Sequence, residues 1–279
     1  MEANMKAVLC LITVFIFIFS LSAQINQQIG TTGAINWQDQ MIRSTGIGAP
    51  NPKVPLAAQR AGALEAAKRV ALRNLLETVK GMYINSETTV ENAMMVSDVI
   101  NTKVEGIVRN FQVVDTRYMS TGDVEVDVEV PISGVLADAL LPSPWATMTP
   151  GQGYPGFQPS AITPQSAVFT GLIIDARGAG VRPAMAPKIL DEQGNEVYGT
   201  GYVSREYAVQ MGVVGYEKDI NRARQNERVT NNPLVVKAIK AAGTNNTDIV
   251  IANGDAQNVL AAAQNLNFME QCKVMVILD

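Results

Sequence analysis

The chain has 279 residues, 47% of them hydrophobic and 17% charged, with no histidine, two cysteines and a formal charge of −4. Without histidine there is no His-based triad, no His general base and no His-ligated metal, and two cysteines fall short of a four-cysteine zinc site. The acidic balance lacks the basic face that nucleic-acid binders carry, and the length suits two modest domains.

The amino terminus reads as a secretory signal peptide over residues 1–23. Lys6 precedes an apolar run over 7–19, broken only by Thr13, and Ser20-Leu21-Ser22-Ala23 follows. As a helix, residues 7–23 span about 25 Å, short of a bilayer core of about 30 Å, which favours cleavage over a permanent anchor. The cut falls after Ser22 or after Ala23. Position 24 is Gln, so no cysteine stands where a lipid anchor would attach, and Cys10 leaves with the signal. The remaining thiol, Cys272, has no disulfide partner and no base to activate it, and reads as a buried strand-end residue.

Residues 34–141 read as a first domain of α+β type, a long helix packed on a small antiparallel sheet. Ala34 to Ile47 is extended and begins the sheet, and glycines and prolines then break it. Leu56 to Lys80 is rich in Ala, Leu, Lys, Arg and Glu, with Gly81 as a stop. Its stripe of Ala57, Ala61, Leu64, Ala67, Ala71, Leu75 and Val79 recurs at three- and four-residue steps, and so many alanines imply close approach to a sheet. Ser86 to Val96 begins with capping residues and reads as a short helix. Lys103 to Tyr118 and Asp123 to Ile132 read as an antiparallel hairpin turned at Ser120-Thr121-Gly122. In the second run Val124, Val126, Val128 and Val130 alternate with Asp123, Glu125, Asp127 and Glu129, so one face is buried and the other charged. Val135 to Leu141 is a short helical turn.

Residues 142–164 carry six prolines and three glycines and read as an interdomain linker. Residues 165–279 read as a second small α+β domain. Strands are expected at Ala167 to Asp175, around the hairpin turn Asp191 to Asn195, at Asp248 to Ala252 and at Lys273 to Leu278. Helices are expected at Ser204 to Met211, Tyr216 to Asn226, Leu234 to Ala242 and Ala256 to Asn265. This order implies some parallel pairing.

Candidate sites are few. Gly178-Ala179-Gly180 follows a strand like a nucleotide loop, but it lacks the third glycine and the opening helix and reads as a turn. The carboxylates of residues 123–129 sit about 6.6–6.8 Å apart along a strand, too far to share one Ca²⁺, and read as a solvated face. Asp175, Asp191, Asp248 and Asp255 stand at strand ends or turns, with no spacing that pairs two of them for glycoside hydrolysis. Arg177, Arg182 and Arg205 are the candidate ligand-binding residues, an anion pocket beside a helix capped by Ser204, with structural ion pairing as the competing reading. No catalytic residue, metal ligand or cofactor is assigned.

Gly46-Ile47-Gly48-Ala49-Pro50, the helix Ala57 to Glu77, Ser86-Glu87-Thr88-Thr89-Val90 and Val104-Glu105-Gly106-Ile107-Val108-Arg109, in this order, resemble the LPP-20 lipoprotein family. The same module stands at the amino end of the flagellar assembly protein T. The resemblance covers about residues 34 to 141. It implies a helix on a small antiparallel sheet in a bacterial envelope protein, some relatives being outer-membrane lipoproteins and others parts of rings around the flagellar motor. The missing cysteine departs from the lipoprotein members, and no catalytic residue carries over.

The expectation is therefore a non-enzymatic secreted or periplasmic envelope protein. It would act through contacts with envelope or flagellar proteins, or with further copies of itself in a homo-oligomer, in a flagellum- or outer-membrane-associated assembly. No nucleic acid is expected, and membrane contact only through the amino-terminal segment if that stays uncleaved. The alternative is a periplasmic module that binds an anionic or peptidoglycan-derived ligand.

Overall fold

The computed structural model describes residues 24–141, 169–265 and 267–279, and over them the chain is an α+β protein with two sheets. The proposed signal segment 1–23 and the Pro/Gly-rich stretch 142–164 lie outside the described residues. The first sheet comprises β1 (Asn26–Ile29), β2 (Gly33–Asn36), β3 (Met41–Gly48), β4 (Gln112–Tyr118) and β5 (Val124–Pro131). It is antiparallel throughout, in the order β1-β2-β3-β5-β4. Helix α1 (Leu56–Lys80) lies across it, with α2 (Val90–Val96), α3 (Asp98–Arg109) and α4 (Val135–Leu140) beside it.

The close approach implied by the alanines is there. Ala63, Ala67 and Ala71 of α1 are fully buried, and opposite them β3 presents Gly46 and Gly48. A Cβ on Gly46 would lie 2.2 Å from the Ala71 amide nitrogen and 2.3 Å from the Ala67 carbonyl oxygen, so helix and strand meet backbone to backbone. At this distance polar groups of the two elements bond directly: Ser44 Oγ donates to the Ala71 carbonyl and Asn74 Nδ2 to the Thr45 carbonyl, each at 2.8 Å. Ala57 and Ala61, expected on the stripe, are exposed, because the helix runs past the end of β3 before it reaches the sheet. On β5 the four valines are buried beneath α1, as their alternation requires.

Three expectations for this half are corrected. The extended segment of residues 34–47 is two strands, β2 and β3, reversed by a tight turn in which Asn36 Oδ1 accepts from the Asp39 amide at 2.9 Å. Residues 98–109 form α3, not the first part of a strand. Ser97 caps it by accepting from the Ile100 amide, and Val104 and Val108 are buried one helical turn apart. The short helix after Ser86 begins later, at Val90, with Thr89 as its cap.

The second sheet holds β6 (Gly171–Asp175), β7 (Ile189–Leu190), β8 (Glu196–Tyr198), β9 (Gly215–Glu217), β10 (Pro233–Ala242), β11 (Asp248–Ile251) and β12 (Val274–Ile277). Their order is β8-β7-β11-β10-β6-β12-β9. The centre is parallel: β6 pairs in parallel with both β10 and β12, and β12 with β9. Strands inside a parallel sheet are covered on both faces and read as continuous apolar runs. β12 is buried at every position, and β6 at all but its last. Around the sheet lie α5 (Arg205–Met211), α6 (Ile220–Gln225) and α7 (Asn253–Asn265). Ile173, Met275 and Ile277 pack with Ala223 and Val229 on one face, while Leu172, Ile174, Val274 and Val276 face the larger core.

Two more expectations give way here. Leu234 to Ala242, expected as a helix, lies in β10, whose residues 233–237 pair with β6 and residues 238–242 with β11. Tyr216 to Asn226, expected as one surface helix, divides into β9 and α6, the helix starting where Asp219 accepts from the amides of Asn221 and Arg222.

The two sheets share one hydrophobic core. Trp37 and Tyr216 meet edge to face at 5.7 Å across the junction. The Tyr216 hydroxyl donates to the Ala184 carbonyl at 2.7 Å and accepts from its amide at 2.9 Å. The amides of Met185 and Ala186 bond the carbonyls of Tyr83 and Ile84, the Gly134 amide bonds the Val209 carbonyl, and the Asn245 amide bonds the Ser86 carbonyl.

Candidate functional site

The three candidate arginines do not converge. Arg177 lies in the turn after β6 and grips Asp175 through two bonds, Nε to Oδ1 at 2.8 Å and Nη2 to Oδ2 at 2.6 Å. That fork holds the Asp175 carboxyl below the usual carboxylate range and raises the guanidinium's own pKa. Arg182 donates to the Tyr83 hydroxyl at 3.2 Å. Arg205, in the first turn of α5, reaches the other half of the molecule, where it bonds the Asp138 carbonyl at 2.8 Å and the Asp138 carboxylate at 3.0 Å. Each arginine has a different partner, and two of the three partners lie in the amino-terminal half. The Ser204 hydroxyl makes no cap bond to α5.

The four aspartates are likewise separate. Asp191 accepts from the amides of Gln193 and Asn195 and shapes the hairpin turn, and Asp248 accepts from the Lys188 amide. Asp175 is held by Arg177, and Asp255 lies in the first turn of α7. No ion pair or hydrogen bond joins any two of them among the described residues.

The charged face of β5 is clamped by arginine. Arg117 of β4 contacts Asp115, Glu125 at 2.7 Å and Asp127 at 2.8 Å, while Arg43 of β3 takes Glu129 at 2.9 Å. Thr45 adds a hydroxyl to Asp127 at 2.6 Å. The hydrogen bond from Arg117 is the main cause holding the Asp127 carboxyl below its ordinary value. Alternation alone identifies the face, but not the cations that cover it.

A cleft of about 630 Å³ opens where the β2–β3 turn meets β9 and α6, lined among others by Gln38, Glu217, Arg222 and Arg228. Glu217 is buried and accepts from Gln38 Nε2 at 3.0 Å and from the Lys218 amide at 2.9 Å, with Arg222 at 3.6 Å. Arg228 is buried too, its guanidinium spent on three carbonyls: Gly212 at 3.0 Å, Cys272 at 2.9 Å, and Met211. Burial lowers its pKa. Burial also pushes the Cys272 thiol up to about 12, so near neutral pH it is no nucleophile. Gln38 Oε1 is buried without a donor among the described residues. Beside the cleft a cavity of about 20 Å³, walled by Trp37, Ile132, Ala184 and Tyr216, has room for about one water.

The cleft residues Gln38, Glu217 and Arg228 carry no local sequence signal, since their partners are brought in from distant parts of the chain. Gln38 and Glu217 fasten the two halves together, Arg228 ties segments within the carboxyl-terminal half, and the three point no nucleophile, base or acid at a common atom. No group of three Cys, Asp or Glu side chains is arranged to hold a metal among the described residues. No helix among them is long and apolar enough to cross a membrane.

Residues 171–279, which begin at the first residue of β6, are similar to the second domain of Treponema pallidum Tp0624, a bacterial domain family. No curated protein matches the chain.

Proposed function

We propose that this chain is a non-enzymatic component of a bacterial cell envelope that works through protein–protein contacts in a flagellum- or outer-membrane-associated assembly. It would be exported by its amino-terminal segment and act in the periplasm. The observation that carries this reading is the use made of the charged and polar side chains. Arg177, Arg205, Arg228, Asp127 and Glu217 hold turns, a sheet face and the junction of the two halves, and none is aimed with a second reactive group at one point. The LPP-20 resemblance of residues 34–141 fits a helix lying across an antiparallel sheet, and the likeness of residues 171–279 to a bacterial domain adds support.

Mild crosslinking in cells, followed by identification of what co-purifies with the full chain, tests this. Reproducible capture of envelope or flagellar proteins is the expected result, and their absence would overturn the reading. A thermal shift with peptidoglycan fragments or organic anions that is lost in Arg182→Ala would instead favour a ligand-binding module, since Arg182 has no carboxylate partner among the described residues.

A further inference from the structure

Among the described residues β4 is the last strand of the first sheet, paired only with β5. Such an edge offers unpaired backbone groups to another strand, and proteins ordinarily guard it with charged residues, lysine above all, with proline, with a bulge or with a covering element. β4 carries neither lysine nor proline, its charges are Asp115 and Arg117, and three of its apolar side chains face water: Val113 is 44% exposed, Val114 40% and Tyr118 52%. A bulge between Val113 and Asp115 disturbs its start and leaves Asp115 to Tyr118 as the regular stretch.

The direction of the backbone groups is fixed by the hairpin. The Met119 amide bonds back to the Asp123 carbonyl at 2.9 Å, so by alternation the amides and carbonyls of Thr116 and Tyr118 turn to the open edge. The Thr116 amide is taken up there by the side chain of its neighbour Asp115, at 2.9 Å.

We propose that this edge pairs antiparallel with the same edge of a second copy, about a two-fold axis through Thr116, joining two five-stranded sheets into one. The inference rests on the reading of a protein that works through contacts, and names one partner as the chain itself. The charges select the register. A two-fold pairing must centre on a residue if outward-facing backbone groups are to meet. Centred on Asp115, it sets two aspartates face to face; centred on Arg117, it sets two arginines so. Centred on Thr116, each Asp115 lies opposite the Arg117 of the other copy, the two Thr116 residues exchange backbone bonds, and each Tyr118 lies opposite a Val114. Opposite charges and apolar pairs directly across strands are favourable, and like charges unfavourable. An isologous contact of this kind closes as a dimer. The Asp115 carboxylate, half exposed and also paired with Arg117 of its own chain, gives up the Thr116 amide, which then bonds the partner's carbonyl.

Sedimentation of the full chain, purified as its host processes it, tests the proposal together with cysteine placement in a Cys10→Ser background, Cys272 being buried. A dimer is expected, and Asp115→Arg, which sets arginine against arginine twice, should weaken it about tenfold or more. Thr116→Cys should form a covalent dimer on oxidation or with a short thiol crosslinker. Cysteine at Val114 and cysteine at Tyr118 should join efficiently only when the two variants are mixed. A monomer at the highest soluble concentration, or a dimer indifferent to Asp115→Arg with no crosslink through Thr116→Cys, overturns the proposal. If Asp115→Arg does not fold, the cysteine variants decide. A monomer that still captures envelope proteins in cells removes this inference and leaves the proposed function standing. A dimer that captures none does the reverse.

Discussion

Gly46 and Gly106 are the same residue type under opposite constraints. A Cβ on Gly46 would collide with the backbone of α1, whereas one on Gly106, in exposed helix α3, would meet nothing within 4 Å. Gly46→Ala is therefore expected to lower stability by about 3 kcal/mol or more, because helix and strand must part. Gly106→Ala should raise stability by about 0.5–1 kcal/mol by restricting the unfolded chain and favouring the helix. Urea titration of both variants checks the pair, and equal effects would contradict the close approach of α1 and β3. Asp127 gives a second residue-scale expectation. Its folded pKa is depressed, first of all by the Arg117 hydrogen bond. A depressed carboxyl contributes stability that is fully present above its unfolded pKa, about 3.9, and is lost as pH falls through the folded value. Asp175, held by Arg177, acts with the same sign. The urea midpoint should thus fall steeply below about pH 4, and Asp127→Asn should flatten part of that fall. An unchanged acid slope in the variant would show that the clamp is not populated in solution.

At the scale of elements, legibility follows the range of the interactions that decide each one. α1 and β5 are plain in the sequence because their periodicities, 3.6 and 2, run through many residues and the core sits on one side of each. Even so, the amino-terminal edge of the α1 stripe is not legible, since where the sheet beneath it ends is not a local property. Residues 234–242 mislead because Lys237, Ala238, Lys240, Ala241 and Ala242 are good helix formers with a glycine after them. Pairing of its first half, residues 233–237, to β6 and of its second half, residues 238–242, to β11 overrides that preference. In α3 the misreading has the opposite cause: β-branched Val104, Ile107 and Val108 look strand-like, yet the Ser97 cap and the i, i+4 burial favour a helix. If β10 lies beside β6 in the sheet, hydrogen exchange should place the amides by which residues 233–237 bond β6 among the slowest in the molecule, with those of β6 and β12. Exchange there as fast as in the short, exposed helix α2 would sink the assignment. Ser97→Ala, which removes one cap bond, should cost about 1 kcal/mol.

For the whole molecule the governing feature is the junction of the two halves, and almost nothing in the sequence announces it. Composition separates residues 34–141 from 165–279 by a proline- and glycine-rich stretch, which by itself predicts two independently folding units. The contacts that join them link residues as far apart as Gln38 and Glu217, and no local pattern encodes such a pair. The same distance explains why the three candidate arginines read as ligand binders: Arg205 has its partner Asp138 in the other half, where no spacing could reveal it. A junction made of Trp37, Tyr216, backbone bonds to Tyr83 and Ile84, and buried Glu217 bonded to Gln38 resembles a domain core more than a surface contact between domains. Neither half can open from the other without parting the Tyr216 ring from Trp37, exposing apolar surface, and stripping the Gln38 hydrogen bond from buried Glu217. Thermal unfolding followed by calorimetry should accordingly show one cooperative transition rather than two. Trp37→Ala removes the side chain that spans the junction and also loses the bond from its indole nitrogen to Gln27. It should destabilise by about 3–5 kcal/mol. If the halves are one folding unit, that loss moves the single transition downward. If they are two, it uncovers a second transition at the unperturbed temperature of the carboxyl-terminal half, and the shared core would then contribute far less than its burial implies.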